Sequence, residues 1–373
     1  MHKPAAYTLH RLFVGSYTDE KHDQGIYTIL FDEANQHLQV VHQGGHAPNP
    51  SFIALHHTLL FAAHELSSRG MLAAYAIAPD GSLVFRGACS SPEDAGTCHV
   101  VVHPNGRFLY GSNYESGSVS CCTLTSQAAA RSTGARLQVV SGGLPSVYHH
   151  GRSINPTRQR APHVHTASFI PNTHVLAVVD LGLDTITLYQ VDGTGPLKQP
   201  AQTIPIEAGS GPRMLAYHPT LPLAALINEL GNDIMLFRYA HTQTTLATFS
   251  CPHWDLLTRL SLPTALLDGT ENEALAAHSA FSPDGTFLYA SIRGSDRIVW
   301  FHLTPEGRLL DRNDVSSGGQ GPRHFSLSPD GRFLATVNQF SNDVVIFARD
   351  AESGQLHEMC HISIHAPSCV VWG

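Results

Sequence analysis

A phrase that recurs along the chain constrains its fold more than any other feature of the sequence. Each copy reads as strand, turn, strand, turn, strand. A Pro-Asp-Gly or Pro-Asn-Gly triplet supplies the φ angles of a tight turn, and the flanking runs are rich in β-branched and aromatic residues. The clear copies are HVVVHPNGRFLYGSNYESGSVSCCTL from His99, SAFSPDGTFLYASIRGSDRIVWFHL from Ser279 and FSLSPDGRFLATVNQFSNDVVIFAR from Phe325, and weaker copies begin at Ser51, Ala167 and Met214. The repetition indicates a repeat-built all-β protein.

The two ends of the chain carry the two parts of a seventh repeat. The C-terminal PSCVVWG has the pattern of a first strand, and RLFVGSYTDEKHDQGIYTILF, from Arg11, has the pattern of the second and third strands. A ring closed by joining these parts removes the exposed sheet edges that an open array must protect. The sequence therefore predicts an all-β fold: a seven-bladed β-propeller with four-stranded blades, closed by N- and C-terminal strands that share one blade. A pair of β-sandwiches or a solenoid would not explain the complementary half-repeats.

The repeats extend over the whole chain, so we expect a single propeller domain over residues 1–373. Two intervals interrupt them, at about 124–160 and 241–275. Each interval is too short and too polar to bury a core of its own. We therefore interpret both as insertions into the propeller.

The charge balance argues against partners that are bound through bulk positive charge. There are 22 Lys and Arg residues against 30 Asp and Glu, a formal net charge of −8, so we expect no nucleic-acid partner. The first residues contain no apolar signal segment, and no run approaches the roughly 18 apolar residues of a membrane span. We expect a cytoplasmic protein without a membrane partner, and the sequence leaves open whether it is a monomer or a weak dimer.

The seven cysteines are scattered and odd in number, and no two form a CxxC pair. This pattern argues against a disulfide framework and against a thiolate zinc site. We therefore expect buried, reduced thiols.

Alignment of the repeats predicts which side chains surround the central channel. In an antiparallel blade, the start of the innermost strand and the end of the next strand lie at the same edge, so both positions open onto one mouth of the channel. The residues at the start of the innermost strand are Cys98, Arg213, Ala277 and Arg323, with His165 added by a shift of one residue. The residues after the second strand are Tyr17, Glu65, Tyr114, Leu181, Glu229, Arg293 and Gln339.

Charged residues are concentrated at these positions, although they make up only 14% of the chain, against roughly 25% in typical globular proteins. Arg213, Arg293 and Arg323 near one channel can direct forked hydrogen bonds at a carboxylate or a phosphate. We therefore expect the ligand to be an anionic small molecule. The alternative is that these residues only form ion pairs between blades.

The stretch GRSINPTRQRAPHVHTASF, residues 151–169, is the most distinctive segment of the chain. His163 and His165 are two residues apart at the start of a predicted strand, so both point to one side. Neutral imidazoles bind zinc, and His99 and His278 at nearby aligned positions could add ligands. Because no carboxylate or cysteine stands at ligand spacing, we favour an acid/base or hydrogen-bonding histidine and expect no metal or other cofactor.

The most specific motifs occur in a fixed order: NPxRQxxPHxH from Asn155, GPR from Gly211, NEL from Asn228, RG from Arg293 and GPRHFSLSPDG from Gly321. Together they resemble the motifs of the seven-bladed propeller lactonases of the 6-phosphogluconolactonase type, whose fold is shared with fungal 3-carboxy-cis,cis-muconate lactonising enzyme. SPDG repeats alone occur in many propellers, whereas this ordered set is specific. The resemblance covers essentially the whole chain.

The resemblance implies a cofactor-independent enzyme that hydrolyses a lactone with an anionic arm. The expected substrate is 6-phospho-D-glucono-1,5-lactone, an intermediate of the pentose phosphate pathway. In the lactonising relative, one His, two Arg and one Glu are functional, and by motif they correspond to His165, Arg213, Arg293 and Glu229. The repeat alignment places the last three of these on one rim without using the resemblance.

Lactone hydrolysis needs a base for the attacking water, donors for the developing oxyanion and an acid for the ring oxygen that leaves. We expect Glu229 or His165 to be the base, and Arg213 and Arg293 to bind the oxyanion and the anionic arm. Further substrate contacts are expected from His163, Arg323, His324, Glu65, Tyr114, His99 and His278. Two other functions could use the same residues: lactone closure by a muconate-type cycloisomerase, and anion binding without turnover.

Overall fold

The structure is a computed structural model that describes residues 9–127, 136–139, 143–240, 252–265 and 273–373. In the first half of the chain the strands are β1 (Leu9–Ser16), β2 (Ile26–Asp32), β3 (His37–Gly44), β4 (Phe52–His56), β5 (Leu59–Ala63), β6 (Gly70–Ile77), β7 (Leu83–Ser91), β8 (Thr97–Val102), β9 (Phe108–Asn113), β10 (Ser118–Gln127), β11 (Arg136–Val139), β12 (Leu144–Tyr148), β13 (Val164–Phe169), β14 (Val175–Asp180) and β15 (Thr185–Gln190). In the second half they are β16 (Gln202–Pro205), β17 (Pro212–Tyr217), β18 (Leu223–Asn228), β19 (Asp233–Tyr239), β20 (Trp254–Ser261), β21 (Leu275–Phe281), β22 (Phe287–Arg293), β23 (Arg297–Leu303), β24 (Leu309–Ser316), β25 (Pro322–Leu327), β26 (Phe333–Asn338), β27 (Asp343–Arg349), β28 (Leu356–Ser363) and β29 (Pro367–Trp372).

These strands form seven antiparallel sheets, which we number as blades 1 to 7. Blade 1 is β4–β7, blade 2 is β8–β12, blade 3 is β13–β16, blade 4 is β17–β20, blade 5 is β21–β24, blade 6 is β25–β28 and blade 7 is β29 with β1–β3. Six blades have four strands, and blade 2 has a fifth because β11 and β12 both pair with β10. No helix long and apolar enough to cross a bilayer occurs in the part of the chain that the structure describes.

The ring closes through blade 7, where the two ends of the chain meet. β29 pairs antiparallel with β1, so that Val14 lies opposite Val370 and Leu12 lies opposite Trp372. The innermost strand of each blade contacts the innermost strands of both neighbouring blades, and β29 contacts β25 on one side and β4 on the other. This arrangement confirms the predicted seven-bladed propeller, including the blade shared between the termini.

The core lies between the blades as seven apolar clusters, each drawn from two neighbouring blades. The cluster between blades 7 and 1 contains Phe13 and Cys369 from the chain ends together with Leu60 and Tyr75. Burying an aliphatic or aromatic side chain of this size contributes about 1.5–3 kcal/mol. Side-to-side burial therefore holds the blades in a ring and fixes the polar residues that face the central channel.

Cys89 on β7 and Cys122 on β10 form a disulfide bond, which joins blade 1 to blade 2. The expectation that the thiols are all reduced is therefore wrong. Two cysteines 33 residues apart give no pairing signal in the sequence, because only the contact between neighbouring blades brings them together. Cys251 lies outside the described residues, and the free cysteines within them are Cys98, Cys121, Cys360 and Cys369.

The two intervals predicted to be insertions contain blade strands. In the first interval, β11 pairs with the end of β10 and β12 pairs with its beginning. In the second, β20 is the outermost strand of blade 4 and pairs with β19. The remaining parts of these intervals, residues 128–135, 140–142, 241–251 and 266–272, lie outside the described residues.

Candidate active site

In six of the seven blades, a β-bulge near the start of the innermost strand directs one side chain toward the channel. In blade 3, Val164 pairs with Asp180 and Thr166 with Val179, so His165 between them has no partner in the ladder. A bulge of this kind bends the strand and redirects the extra side chain. All seven innermost strands are among the described residues, and six of them carry such a shift. The unpaired residues of these six strands are Cys98, His165, Arg213, Ala277, Arg323 and Ser368.

The bulges explain the predicted mouth position. His165 occupies the same place in its ladder as Arg213 and Arg323 do in theirs, so the one-residue shift assumed for it in the repeat alignment is unnecessary. The exception is β4, which pairs with β5 without a shift.

A cavity of about 270 Å³ opens where the bulged residues meet the residues that follow the second strands. It is lined by Glu65, Cys98, Tyr114, Arg158, His165, Glu229, Arg293 and Arg323. We call this the mouth cavity. Arg213 is outside this lining, but its Nε donates to the carboxylate of Glu229 at 3.0 Å. Four side chains given catalytic roles by the resemblance therefore lie at one place in the structure.

Glu229 is the centre of the charge network at the mouth cavity. Its Oε1 lies 2.6 Å from Arg158 Nη2, and its Oε2 lies 3.0 Å from Arg213 Nε and 2.9 Å from Arg293 Nη2. The Glu229 side chain is only 4% exposed, so these ion pairs are largely shielded from solvent. Charge-assisted contacts of this kind are short and strong.

The network keeps Glu229 ionised. Burial alone would raise the pKa of this carboxyl, but the guanidinium groups of Arg293 and Arg213 outweigh burial and hold the pKa well below its ordinary value. Burial and the charge of Arg293 lower the pKa of Arg213 to about 10, which leaves Arg213 charged at neutral pH. Glu229 is therefore a fixed negative charge, and it is a poor acceptor for a proton at neutral pH.

His165 has the opposite electrostatic character. Burial and the nearby Arg213 guanidinium hold the pKa of the His165 imidazole well below 6.5, so the ring is neutral at pH 7. Its Nδ1 is buried and has no hydrogen-bond partner among the residues that the structure describes. The ring of Tyr114 packs against it edge to face, with centroids 5.7 Å apart. His165 therefore offers a neutral, oriented imidazole to the mouth cavity.

The opposite wall of the mouth cavity is built around Arg323. Its Nη2 donates to the Tyr17 hydroxyl at 2.9 Å and lies 4.0 Å from Glu65 Oε2, and the Tyr17 hydroxyl donates to the same Glu65 oxygen at 2.7 Å. The guanidinium carbon also lies 5.4 Å from the centre of the Tyr17 ring. The repeat alignment puts Tyr17 on the rim, but no site role was predicted for it. Its contacts position Arg323.

Arg158 is the charged site residue that the sequence reasoning missed. Within the NPxRQ motif, Asn155 Oδ1 accepts hydrogen bonds from the backbone N–H of Arg158, and Gln159 Nε2 donates to the carbonyl of Leu181 and to Asp184 Oδ2, both at 2.8 Å. These bonds anchor the loop and direct Arg158 to Glu229. The NPxRQ motif could have indicated Arg158 as a site residue. Its Gln159 is buried and anchors the loop, and its Arg158 lines the mouth cavity.

The GPR and NEL motifs depend on each other. Gly211 has φ +59°, and a Cβ at this position would lie 2.4 Å from Leu230 Cγ. Its carbonyl accepts the backbone N–H of Glu229 at 2.7 Å. Glycine is required here because only a residue without a side chain permits this turn and this contact. The packing of one motif on the other thus sets the position of Glu229.

The other predicted histidines lie around the mouth cavity or next to it. His163 stacks on Tyr114 with ring centroids 4.4 Å apart, and its Nδ1 lies 2.8 Å from the Tyr114 carbonyl oxygen. His99 and His324 line a smaller adjoining cavity of about 20 Å³, and the His278 and His324 rings lie 3.9 Å apart with an angle of 39° between their planes. Burial lowers the pKa of His99 and of His324 to about 3. Their predicted substrate contacts remain predictions.

Comparison with known proteins identifies the family. A family model described as lactonase, 7-bladed beta-propeller, matches residues 11–372. The chain is 28% identical to a 6-phosphogluconolactonase of Bacillus subtilis over 96% of this chain and 97% of that protein. It is also 28% identical to a 6-phosphogluconolactonase of Formosa agariphila, covering 93% of this chain and 95% of the relative.

Among solved structures, the periplasmic gluconolactonase of Pseudomonas aeruginosa has a TM-score of 0.84 at 27% identity, covering 98% of this chain and 99% of that chain. A protein from Lactobacillus plantarum has a TM-score of 0.83 at 29% identity, covering 98% and 99%. Because the family model spans nearly the whole sequence and the structure has the same seven-bladed ring, this chain belongs to the seven-bladed β-propeller lactonase family.

Proposed function

We propose that this chain hydrolyses a sugar lactone with an anionic arm, and we assign 6-phospho-D-glucono-1,5-lactone as the substrate. The observation that carries the proposal is the charge of the mouth cavity, where three guanidinium groups line the cavity with two carboxylates and a neutral imidazole, and Arg213 adds a fourth guanidinium beside Glu229. The net positive charge favours an anionic ligand. The family and the names of the curated relatives support a lactone as the reacting group.

The anionic arm is held by Arg323 and Arg158. Arg323 is braced by Tyr17 and Glu65, so its fork is held in position before a ligand arrives. Arg158 is 34% exposed and lies on the outer side of the Glu229 network. A phosphate group carries a charge of about −1.5 to −2 at pH 7 and matches the guanidinium geometry. This arrangement favours a phosphorylated lactone over a neutral one.

His165 activates the attacking water. Its neutral imidazole accepts a proton as the water oxygen bonds to the lactone carbonyl carbon. The imidazolium that forms is stabilised by the ionised carboxylate of Glu229, whose charge favours the protonated ring. When the bond between the carbonyl carbon and the ring oxygen breaks, the same proton passes to that oxygen. The products are a free carboxylic acid, which ionises, and a hydroxyl group.

Glu229 positions the arginines and supplies a fixed negative charge. Its two oxygens are held by three guanidinium groups, which supports His165 rather than Glu229 as the base. Arg293 Nε is buried and has no hydrogen-bond partner among the residues that the structure describes, while Nη2 lies 2.9 Å from Glu229 Oε2. The Nε–H of Arg293, supported by the charge of Arg213, can bind the oxyanion that forms on the carbonyl oxygen.

The experiment follows lactone opening by the purified chain. We expect 6-phospho-D-glucono-1,5-lactone to open faster than its spontaneous rate at pH 6–7, with glucono-1,5-lactone opened less efficiently. Activity in the presence of a chelator should equal activity in its absence, because each proton transfer is assigned to a side chain. Binding of 6-phosphogluconate without acceleration of either lactone would show an anion-binding propeller and refute the proposal.

A further inference from the structure

Two segments that close the ring carry a group of metal-binding side chains outside the mouth cavity. Asp19 and His22 lie in the loop between β1 and β2, and His365 lies between β28 and β29. One potential ligand atom from each residue lies within 4.8 Å of the other two. Neither the motifs nor the proposed reaction uses these three residues.

The geometry is close to that of a zinc site. Each imidazole lies beside a different oxygen of the Asp19 carboxylate: Oδ1 is 2.9 Å from His22 Nδ1, and Oδ2 is 3.3 Å from His365 Nε2. In a tetrahedral zinc site with ligand bonds of about 2.0–2.1 Å, neighbouring ligand atoms are about 3.3 Å apart. The separation between Asp19 Oδ2 and His365 Nε2 is at this value, and rotation of the exposed His22 side chain can bring its ring nitrogen to the same distance from both atoms.

The loop is organised in a way that prepares these ligands. The backbone N–H groups of Lys21 and His22 both donate to Asp19 Oδ1 at 2.8 Å, which fixes the carboxylate. The rings of His22 and His365 stack with centroids 4.0 Å apart and an angle of 9° between their planes, so both imidazoles stand beside the same carboxylate. Backbone contacts hold His365 in place, because the N–H of the next residue, Ala366, donates to Asn342 Oδ1 at 2.8 Å.

A fourth ligand position faces open space. His22 and His365 border a cavity of about 460 Å³, in which a water molecule can complete the coordination. Lys21 and Asp23 also border this cavity, and their opposite charges offset each other. Two imidazole nitrogens and one carboxylate oxygen are donors that suit Zn²⁺ and its neighbours Ni²⁺ and Cu²⁺ better than Mg²⁺ or Ca²⁺.

The geometry points to a Zn²⁺ site formed by Asp19, His22 and His365 that clips the two chain ends together at blade 7. The metal bridges the β1–β2 loop to the segment before β29, next to the contact in which the Tyr17 N–H donates to the Ala366 carbonyl. Its role is to stabilise ring closure. A metal that binds the folded chain and not the unfolded one raises stability in proportion to the logarithm of its concentration.

The test uses the full-length chain freed of metal by chelation and then titrated with ZnCl₂ in a calorimeter. We expect one equivalent of Zn²⁺ to bind with a dissociation constant on the order of micromolar, since only three protein ligands contribute. The unfolding temperature should rise with Zn²⁺ concentration, and MgCl₂ at the same concentration should not change it. Absence of saturable Zn²⁺ binding would overturn the inference.

Variants locate the site. His365→Ala and Asp19→Asn should each abolish the binding of one equivalent of Zn²⁺ and the rise in unfolding temperature that Zn²⁺ causes. The unfolding temperature without metal should stay nearly unchanged in both variants, because all three ligands are partly or fully exposed. The matched control is His253→Ala. His253 is also exposed and lies 3.0 Å from a carboxylate, that of Asp255, but no third metal-binding side chain is near this pair among the described residues. Zinc binding that survives His365→Ala, or that is lost in His253→Ala, would contradict the assignment.

Discussion

Replacing Glu229 by Gln tests whether one carboxylate holds the charged site together. The substitution keeps the size and shape of the side chain and removes its charge. It leaves Arg158, Arg213 and Arg293, which lie within 3.0 Å of the carboxylate oxygens, without their shared counter-ion. Breaking a buried ion pair by removing one partner costs about 3–5 kcal/mol. Because Arg158 is 34% exposed and can turn to solvent, we expect about 3 kcal/mol.

The assay is urea unfolding of the wild type and the variant, with the free energy of unfolding extrapolated to water. The matched control is Glu207→Gln, which removes an exposed carboxylate that pairs with Arg259 on the surface of blade 4. Arg259 keeps its contact with Asp233 in that variant. Since exposed ion pairs are worth about 0–1 kcal/mol, the control should change stability little.

Phosphate provides a second readout of the same network. In Glu229→Gln the uncompensated guanidinium groups should bind inorganic phosphate more tightly than the wild type does, so added phosphate should restore part of the lost stability. An equal loss of stability in Glu229→Gln and Glu207→Gln, with no added effect of phosphate, would refute the view that Glu229 is the shared counter-ion.

Three further predictions follow from the same contacts. Because the pKa values of His99 and His324 are lowered to about 3 in the folded chain, only the unfolded chain binds protons at these two histidines near pH 6.5. The free energy of unfolding should therefore fall between pH 6.5 and 5, by up to about 1.4 kcal/mol per pH unit for each histidine. A urea midpoint that does not change over this range would contradict the prediction. Gly211→Ala should destabilise by at least about 1–2 kcal/mol and reduce turnover, whereas Gly44→Ala, where a Cβ meets nothing within 4 Å, should do neither. Because Arg158 is assigned to the anionic arm, Arg158→Met should raise KM for the phosphorylated lactone about tenfold or more. KM for the unphosphorylated lactone should change less, and steady-state kinetics with both lactones measures the difference.

The fold could be predicted because each repeat carries its own turn and strand signals. The half-repeats at the chain ends indicated the shared blade, and the structure confirms it through the pairing of β1 with β29. The Cys89–Cys122 disulfide could not be predicted, because nothing in the sequence of either strand shows that β7 of blade 1 packs against β10 of blade 2. Contacts between blades depend on the three-dimensional packing of the ring.

The candidate site was predictable in part for the same reason. Equivalent positions in successive repeats lie at equivalent places in a ring, so aligned arginines indicate one rim. The bulge that turns His165 toward the cavity changes the register of pairing, and no turn or strand signal in the sequence indicates it. Arg158 was missed because it reaches the cavity from a loop outside the repeats. The proposal of His165 rather than Glu229 as the base rests on burial and charge, which a sequence does not contain.

Turnover of a His165→Asn variant measures whether His165 is the proton acceptor at the mouth cavity. The variant should open 6-phospho-D-glucono-1,5-lactone about 10²–10⁴-fold more slowly than the wild type. It should still bind 6-phosphogluconate with nearly the wild-type affinity, because the arginines that hold the anionic arm are untouched. Turnover at the wild-type rate in a folded His165→Asn variant would contradict the account.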